Sequence, residues 1–309
     1  MSPRAISATS GPPQALAAWC GGRGVPARIS RAVVVGVLNA TPDSFSDGGR
    51  FVDGSSARAH VDRLLADGAD VIEIGGESTR PAGPAYGSGF RAIDSTLQIE
   101  RVSAPLTHAT KERNAVVAVD TTDPTVARYA LERGATIVND VSCLKDPELA
   151  RVVAAHDAWL VLMHSRPGAS SSYVSILDDV MREWILARDR ALEAGVRADR
   201  LVFDPGLGFG KDAAQSLALL RDVDRFHALG HALYVGASRK SFLAACEARA
   251  GLDQSAPPDR DAATITASLW AIDRGAAAVR VHDVRAMRQA MAVRLALQTG
   301  LENEEDRDA

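Results

Sequence analysis

Eight short runs of Val, Ile and Leu punctuate the chain, each separated from the next by a longer amphipathic stretch. They are Val33 to Leu38, Val71 to Ile74, Val116 to Val119, Thr136 to Val138, Trp159 to Leu162, Leu201 to Phe203, Leu233 to Val235 and Ala278 to Val281. Runs this continuous suit parallel strands covered on both faces, and the pieces between them, rich in Ala, Leu, Arg and Glu, read as helices. Gly68, Gly134, Gly195 and Gly275 close four of these helices, where a left-handed residue turns the chain into the next strand. Eight βα units close most naturally into a barrel. An open doubly wound sheet of that size would carry a nucleotide fingerprint, and neither a GxGxxG after the first strand nor a Walker loop is present.

The expected fold is therefore an α/β, (β/α)8 TIM barrel forming a single domain over residues 26–298. A flexible N-terminal extension is expected over 1–25 and an acidic tail over 299–309. A length of 309 residues and a hydrophobic fraction of 46% suit one large packed domain. The extension has neither a basic segment leading into an apolar one nor any run of bilayer length, so it reads as a loose leader. A net charge of -4 argues against nucleic acid or anionic lipid as a partner, so an anionic ligand would need local cations. Cys20, Cys143 and Cys246 are an odd number, widely spaced and without CxxC. That excludes a disulfide framework and a structural zinc site, and fits a reducing cytoplasm.

The unusual residues fall just after the strands, at the face where barrel enzymes place their chemistry. The loop from Asn39 to Gly49 reads as a flap in which Asn39 offers an oxygen to Mg2+ and Phe45 excludes water. After the second strand, Thr79 and Arg80, followed by Pro81, offer donors suited to phosphate oxygens. Asp120 and Asn139 can read the edge of a flat heterocycle, whereas Asp140 reads as a cap. Met163 would pack against a ring face, and His164 receives no role. Asp204 through Lys211, with three glycines including Gly208 beside Phe209, suggests backbone moulded around a planar ligand. Gly236 through Phe242 places two cations, Arg239 and Lys240, and the Ser241 hydroxyl at a helix start, a site for a carboxylate. Alternation puts Arg280 and His282 on one side, either to meet an anion or as inward polar residues satisfied by carboxylates. Asp283 reads as a helix cap, and Trp159, Trp184 and Trp270 as packing residues.

Taken in order, Asn39 to Gly49, Ser78 to Pro81, Asp204 to Lys211, Ser238 to Ser241 and Arg280 to His282 resemble the dihydropteroate synthase family, over Val33 to about Leu297. The resemblance implies a transferase of folate biosynthesis. Its substrates would be 6-hydroxymethyl-dihydropterin pyrophosphate and 4-aminobenzoate, its cofactor Mg2+, and its assembly a homodimer through the later helices. By the family pattern Asp120, Asn139, Asp204 and Lys240 would hold the pterin, with Met163 and Arg280 against its faces. Asn39, Thr79, Arg80, Arg280 and His282 would meet pyrophosphate and metal. Phe45, Pro81 and Phe209 would line the aminobenzoate site, with its carboxylate at Ser241. The chain departs from the pattern at Ala40, Thr122-Asp123, Ser165-Arg166 and Ala82. These positions lie beside the matched ones and bear on rate and affinity more than on reaction type; with Ser78 to Pro81 intact, the resemblance implies an enzyme sensitive to sulfonamides. A pterin-binding methyltransferase domain and a non-catalytic pterin-binding homologue are the rival readings.

Overall fold

The computed structural model describes residues 32–40, 54–77, 93–166 and 172–300. The expectations for the N-terminal extension, for Phe45, for Thr79, Arg80 and Pro81, and for residues 301–309 lie outside those residues. Eight strands run β1 Val33–Asn39, β2 Val71–Gly75, β3 Val116–Asp120, β4 Ile137–Asp140, β5 Trp159–Met163, β6 Leu201–Asp204, β7 Ala232–Val235 and β8 Ala278–Val281. Each pairs in parallel with its neighbour in sequence, and β8 returns to β1, closing the barrel. Nine α-helices among the described residues surround it. They are α1 Gly54–Ala66, α2 Ser95–Thr107, α3 Pro124–Glu132, α4 Pro147–Ala155, α5 Ile176–Glu193, α6 Ala213–Arg221, α7 Ser241–Arg249, α8 Asp261–Asp273 and α9 Val284–Thr299.

Successive strand residues point to opposite faces, and the core divides accordingly. Val34, Leu38, Ile72, Ile74, Val117, Leu160 and Phe203 face outward into the layer shared with the helices. Val33, Val35, Val71, Ala118, Ile137, Trp159, Val161 and Val202 fill the inside of the barrel as a separate cluster. This double coverage is why the runs were nearly unbroken in apolar residues. Trp184 is fully buried, donating its indole N–H to the Leu162 carbonyl at 2.8 Å with its ring edge-on to Phe203. Trp270 packs at the surface: it is 41% exposed on α8, with the Arg274 guanidinium over its ring and its indole N–H donating to the Leu220 carbonyl at 3.0 Å.

Local signals set the ends of the elements. Gly68, Gly134, Gly195 and Gly275 all have φ between +87° and +100°, as the turn out of each helix requires. Asp283 caps α9 through the Ala286 amide at 2.9 Å. Asp123, one of the departures from the family pattern, caps α3 through the Thr125 amide at 2.7 Å and accepts from the Ser95 hydroxyl at 2.5 Å. The strands run past the apolar stretches seen in the sequence: Asn39, Asp120, Asn139, Asp140, Met163 and Asp204 are strand residues, not loop residues. Their backbones are therefore held by the barrel ladder itself.

Candidate active site

Inside the barrel the same alternation changes chemistry with height. On β3 the inward positions rise from Val116 through Ala118 to Asp120, and on β8 from Ala278 to Arg280. Asp120 is paired in register with Gly75 on one side and Asn139 on the other. A Cβ on Gly75 would stand 3.4 Å from the Asp120 Cβ. Asp120 and Asn139 are buried, yet Asp120 Oδ1 and Asn139 Oδ1 have no hydrogen-bond partner. A buried acceptor without a donor costs about 1–3 kcal/mol, so two side by side point to donors supplied by a ligand.

Arg280 reaches across from β8, its Nη2 donating to Asp120 Oδ2 at 3.3 Å and its Nε to Glu73 Oε1 at 2.5 Å. The Tyr234 hydroxyl donates to the other Glu73 oxygen at 2.9 Å. Two carboxylates from neighbouring strands thus hold the inward arginine. Burial works against its charge, but Glu73, Tyr234 and Asp120 outweigh burial and raise its pKa. Burial, reinforced by Glu73, pushes the Asp120 carboxyl up to about 7 against the pull of Arg280.

The Asp204 loop folds over this layer. Asp204 is buried and accepts from the Gly206 amide at 2.7 Å. Its pKa is raised by burial and held back by Lys240. Gly206 has φ +65° and a Cβ there would sit 1.9 Å from the His164 carbonyl oxygen, so no other residue fits. Lys240 donates to the Leu207 carbonyl at 2.5 Å and lies 4.8 Å from the Phe209 ring centre, with Gly208 against its stem. Burial lowers its ammonium to about 8, against Asp204. Gly236 joins the parts: a Cβ there would lie 3.6 Å from Arg280 Cδ and 4.0 Å from Asp204 Oδ2. Asp120, Asp204, Lys240 and Arg280 therefore converge on one end of the barrel, beside buried Met163, which pairs in register with Asp204.

Other predicted residues sit at the margin. Asn39 ends β1, half-buried and in register with Gly75. His282 follows β8, its Nδ1 2.8 Å from the Ser238 hydroxyl, which also accepts its backbone N–H. Ser241 is exposed at the first position of α7, with Lys240 before it. Arg239 corrects the expectation of two cations at that site. Its guanidinium makes a two-pronged pair with Asp261 at 2.9 and 2.7 Å, which ties the start of α7 to α8 and leaves Lys240 as the cation beside Asp204. Asp140 serves as a loop cap, accepting from the Ser142 and Leu144 amides. The Ser165-Arg166 departure has a structural account. Arg166 pairs with Glu183, donates to the Ser172 carbonyl and covers the Tyr173 ring, and Glu183 also meets His164 at 3.0 Å.

Sequence reasoning missed Glu73 and Tyr234, and gave Lys211 no role of its own within the Asp204 loop. Lys211 is buried and gives its ammonium to the carbonyls of His164, Gly206 and Phe209 at 3.2, 3.0 and 3.0 Å, locking the loop. Burial lowers it to about 7. Glu73 had a signal available: a lone charge inside Val71-Ile72-Glu73-Ile74 must find a buried partner.

Comparison with known proteins places this geometry. Residues 35–282 match the family described as pterin binding enzyme. The dihydropteroate synthase of Streptococcus pyogenes serotype M6 is 39% identical over 85% of this chain and 94% of its own length. A probable bifunctional folylpolyglutamate synthase/dihydropteroate synthase of Halobacterium salinarum is 41% identical over 91% of this chain, which spans only 33% of that longer protein. Among solved structures, the Xanthomonas albilineans dihydropteroate synthase with 4-aminobenzoic acid superposes with a TM-score of 0.79 at 37% identity, covering 88% of this chain and 94% of that one. With a family match across most of its length and relatives near 40% identity, the chain belongs to the pterin-binding enzyme family that includes the dihydropteroate synthases.

Proposed function

We infer that the chain condenses 6-hydroxymethyl-7,8-dihydropterin pyrophosphate with 4-aminobenzoate to give 7,8-dihydropteroate and pyrophosphate. The observation that carries this reading is the pair of buried, unpartnered acceptors, Asp120 Oδ1 and Asn139 Oδ1, beside the charged groups of Asp204, Lys240 and Arg280. A pterin edge offers amino and ring N–H donors to the acceptors and a carbonyl oxygen and ring nitrogen to Lys240. Met163 and Arg280 then lie against the ring faces.

In the reaction the methylene C–O bond breaks and its electron pair leaves with pyrophosphate. The arylamine nitrogen attacks the cation-like carbon, forms the C–N bond and sheds a proton. Such chemistry needs a stabilised leaving group and a dry pocket more than a strong base. Thr79, Arg80, Arg280 and His282 would receive the pyrophosphate. Phe45, Pro81 and Phe209 would enclose the aminobenzoate, with its carboxylate toward Ser241.

The donor set suits Mg2+. Asn39 would supply one hard oxygen at the rim, and substrate phosphate oxygens would complete the shell. When bound, the ion neutralises charge on the departing pyrophosphate.

We place the catalytic unit at residues 26–298 and the enzyme in the cytoplasm, consistent with described helices none of which is long and apolar enough to cross a membrane. A homodimer is supported by exposed Leu217, Trp270 and Val293 on α6, α8 and α9. The deciding assay follows pyrophosphate release, expected to need both substrates and Mg2+ and to collapse in Lys240→Ala and Asp204→Asn. Release without 4-aminobenzoate, or methyl transfer to a corrinoid protein, would overturn the reading. Excess sulfonamide should halt turnover, and unchanged turnover would refute that sensitivity.

A further inference from the structure

We propose that Glu73 is a positioning residue for this reaction: from beneath the strand-end layer it fixes the Arg280 guanidinium in the orientation that the pterin substrate meets. The inference rests on the functional reading above, in which Arg280 touches substrate. Glu73 is 1% exposed on β2, and both of its oxygens are engaged, one by Arg280 Nε and the other by the Tyr234 hydroxyl. Tyr234 is itself 1% exposed and reaches Glu73 from β7 across the barrel.

Two considerations separate positioning from simple stabilisation. A buried ion pair is seldom more stable than the apolar residues that could replace it, and inward neighbours such as Val71 and Ala118 show that this interior accepts such residues. A carboxylate held there by a tyrosine therefore needs a purpose other than stability. The second consideration is geometric. Nε lies in the guanidinium plane, so a bond to it fixes the rotation of that plane as well as its place. Asp120 then receives Nη2. Without Glu73 the plane is held at one edge only and is free to swing about the Asp120 contact.

The test is steady-state kinetics of the full chain with both substrates, in Glu73→Gln, Arg280→Lys and the double variant, with thermal midpoints recorded alongside. Glu73→Gln should lower kcat/KM for the pterin pyrophosphate by about tenfold. It should leave the KM for 4-aminobenzoate within about twofold. In the Arg280→Lys background it should cost nothing further, because a residue acting through Arg280 has no effect once that fork is gone. Tyr234→Phe should repeat the pattern more weakly, and it carries the test should Glu73→Gln not fold. Losses that add in the double variant, equal loss for both substrates, or unchanged kinetics in Tyr234→Phe when Glu73→Gln does not fold would each overturn the proposal. A silent unmodified enzyme would overturn the functional reading and this inference together, whereas a working one with additive variants overturns this inference alone.

Discussion

The floor and the mouth of the barrel are built on the same eight strands with the same inward parity, yet they obey opposite rules. At the floor, Val33, Val71, Ile137, Trp159 and Val202 pack against one another in an apolar cluster. At the mouth, Glu73, Asp120, Asn139 and Asp204 are just as enclosed and Arg280 is half-buried, but their pairing is incomplete, with Asp120 Oδ1 and Asn139 Oδ1 left over. The contrast locates stability in one half of the interior and ligand demand in the other.

The strongest challenge to that division is Trp159→Ala. Truncating a buried tryptophan should cost about 3–5 kcal/mol of stability, while kcat per folded molecule stays unchanged. Denaturant unfolding combined with active-site titration checks it, and a fall in kcat of the folded fraction would break the division. Lys240→Ala should do the reverse, lowering kcat/KM by about 10²-fold or more with little change in unfolding midpoint. Asn139→Leu sharpens the contrast further. Replacing an orphaned acceptor by a hydrocarbon should stabilise the ligand-free protein by about 1 kcal/mol and abolish pterin binding, as calorimetry would show.

The smallest expected effect concerns pH. An acid whose pKa is raised by folding contributes stability below its ordinary value and loses it as pH rises through the folded value. For Asp120 that window runs from 3.8 to about 7, set by burial and Glu73 and opposed by Arg280, with Asp140 and Glu77 adding to the rise. His164, lowered to about 4 mainly by burial, works the other way as pH falls from 6.5. The informative quantity is thus a difference: Asp120→Asn should gain stability relative to the unmodified chain as pH rises across the Asp120 window. A pH-independent difference would deny the raised carboxyl.

Much of this was legible in the sequence because parallel barrel strands are covered on both faces and so announce themselves as apolar runs. The glycine helix ends were equally plain, since few residues tolerate the φ of Gly134 or Gly195. Asp120, Asn139 and Asp204 stood out as polar residues closing such runs. What the sequence hid were partnerships made by closure. Glu73 meets Arg280 from 207 residues away and Tyr234 from 161, distances at which no local pattern speaks. Arg239 carries the signature of a ligand cation, and only its partner Asp261, 22 residues on, assigns it elsewhere; the three carbonyls that hold Lys211 likewise come together only in the folded loop.

The register of β3 against β4 sets Asp120 directly opposite Asn139, so the gap between their two acceptors is governed by backbone spacing, roughly 4.8 Å between adjacent strands. Such a ruler does not bend when the surrounding loops change length or composition. Variation in those loops can retune speed, inhibitor tolerance or the choice of arylamine, while the heterocycle recognised stays anchored to the stiffest part of the architecture.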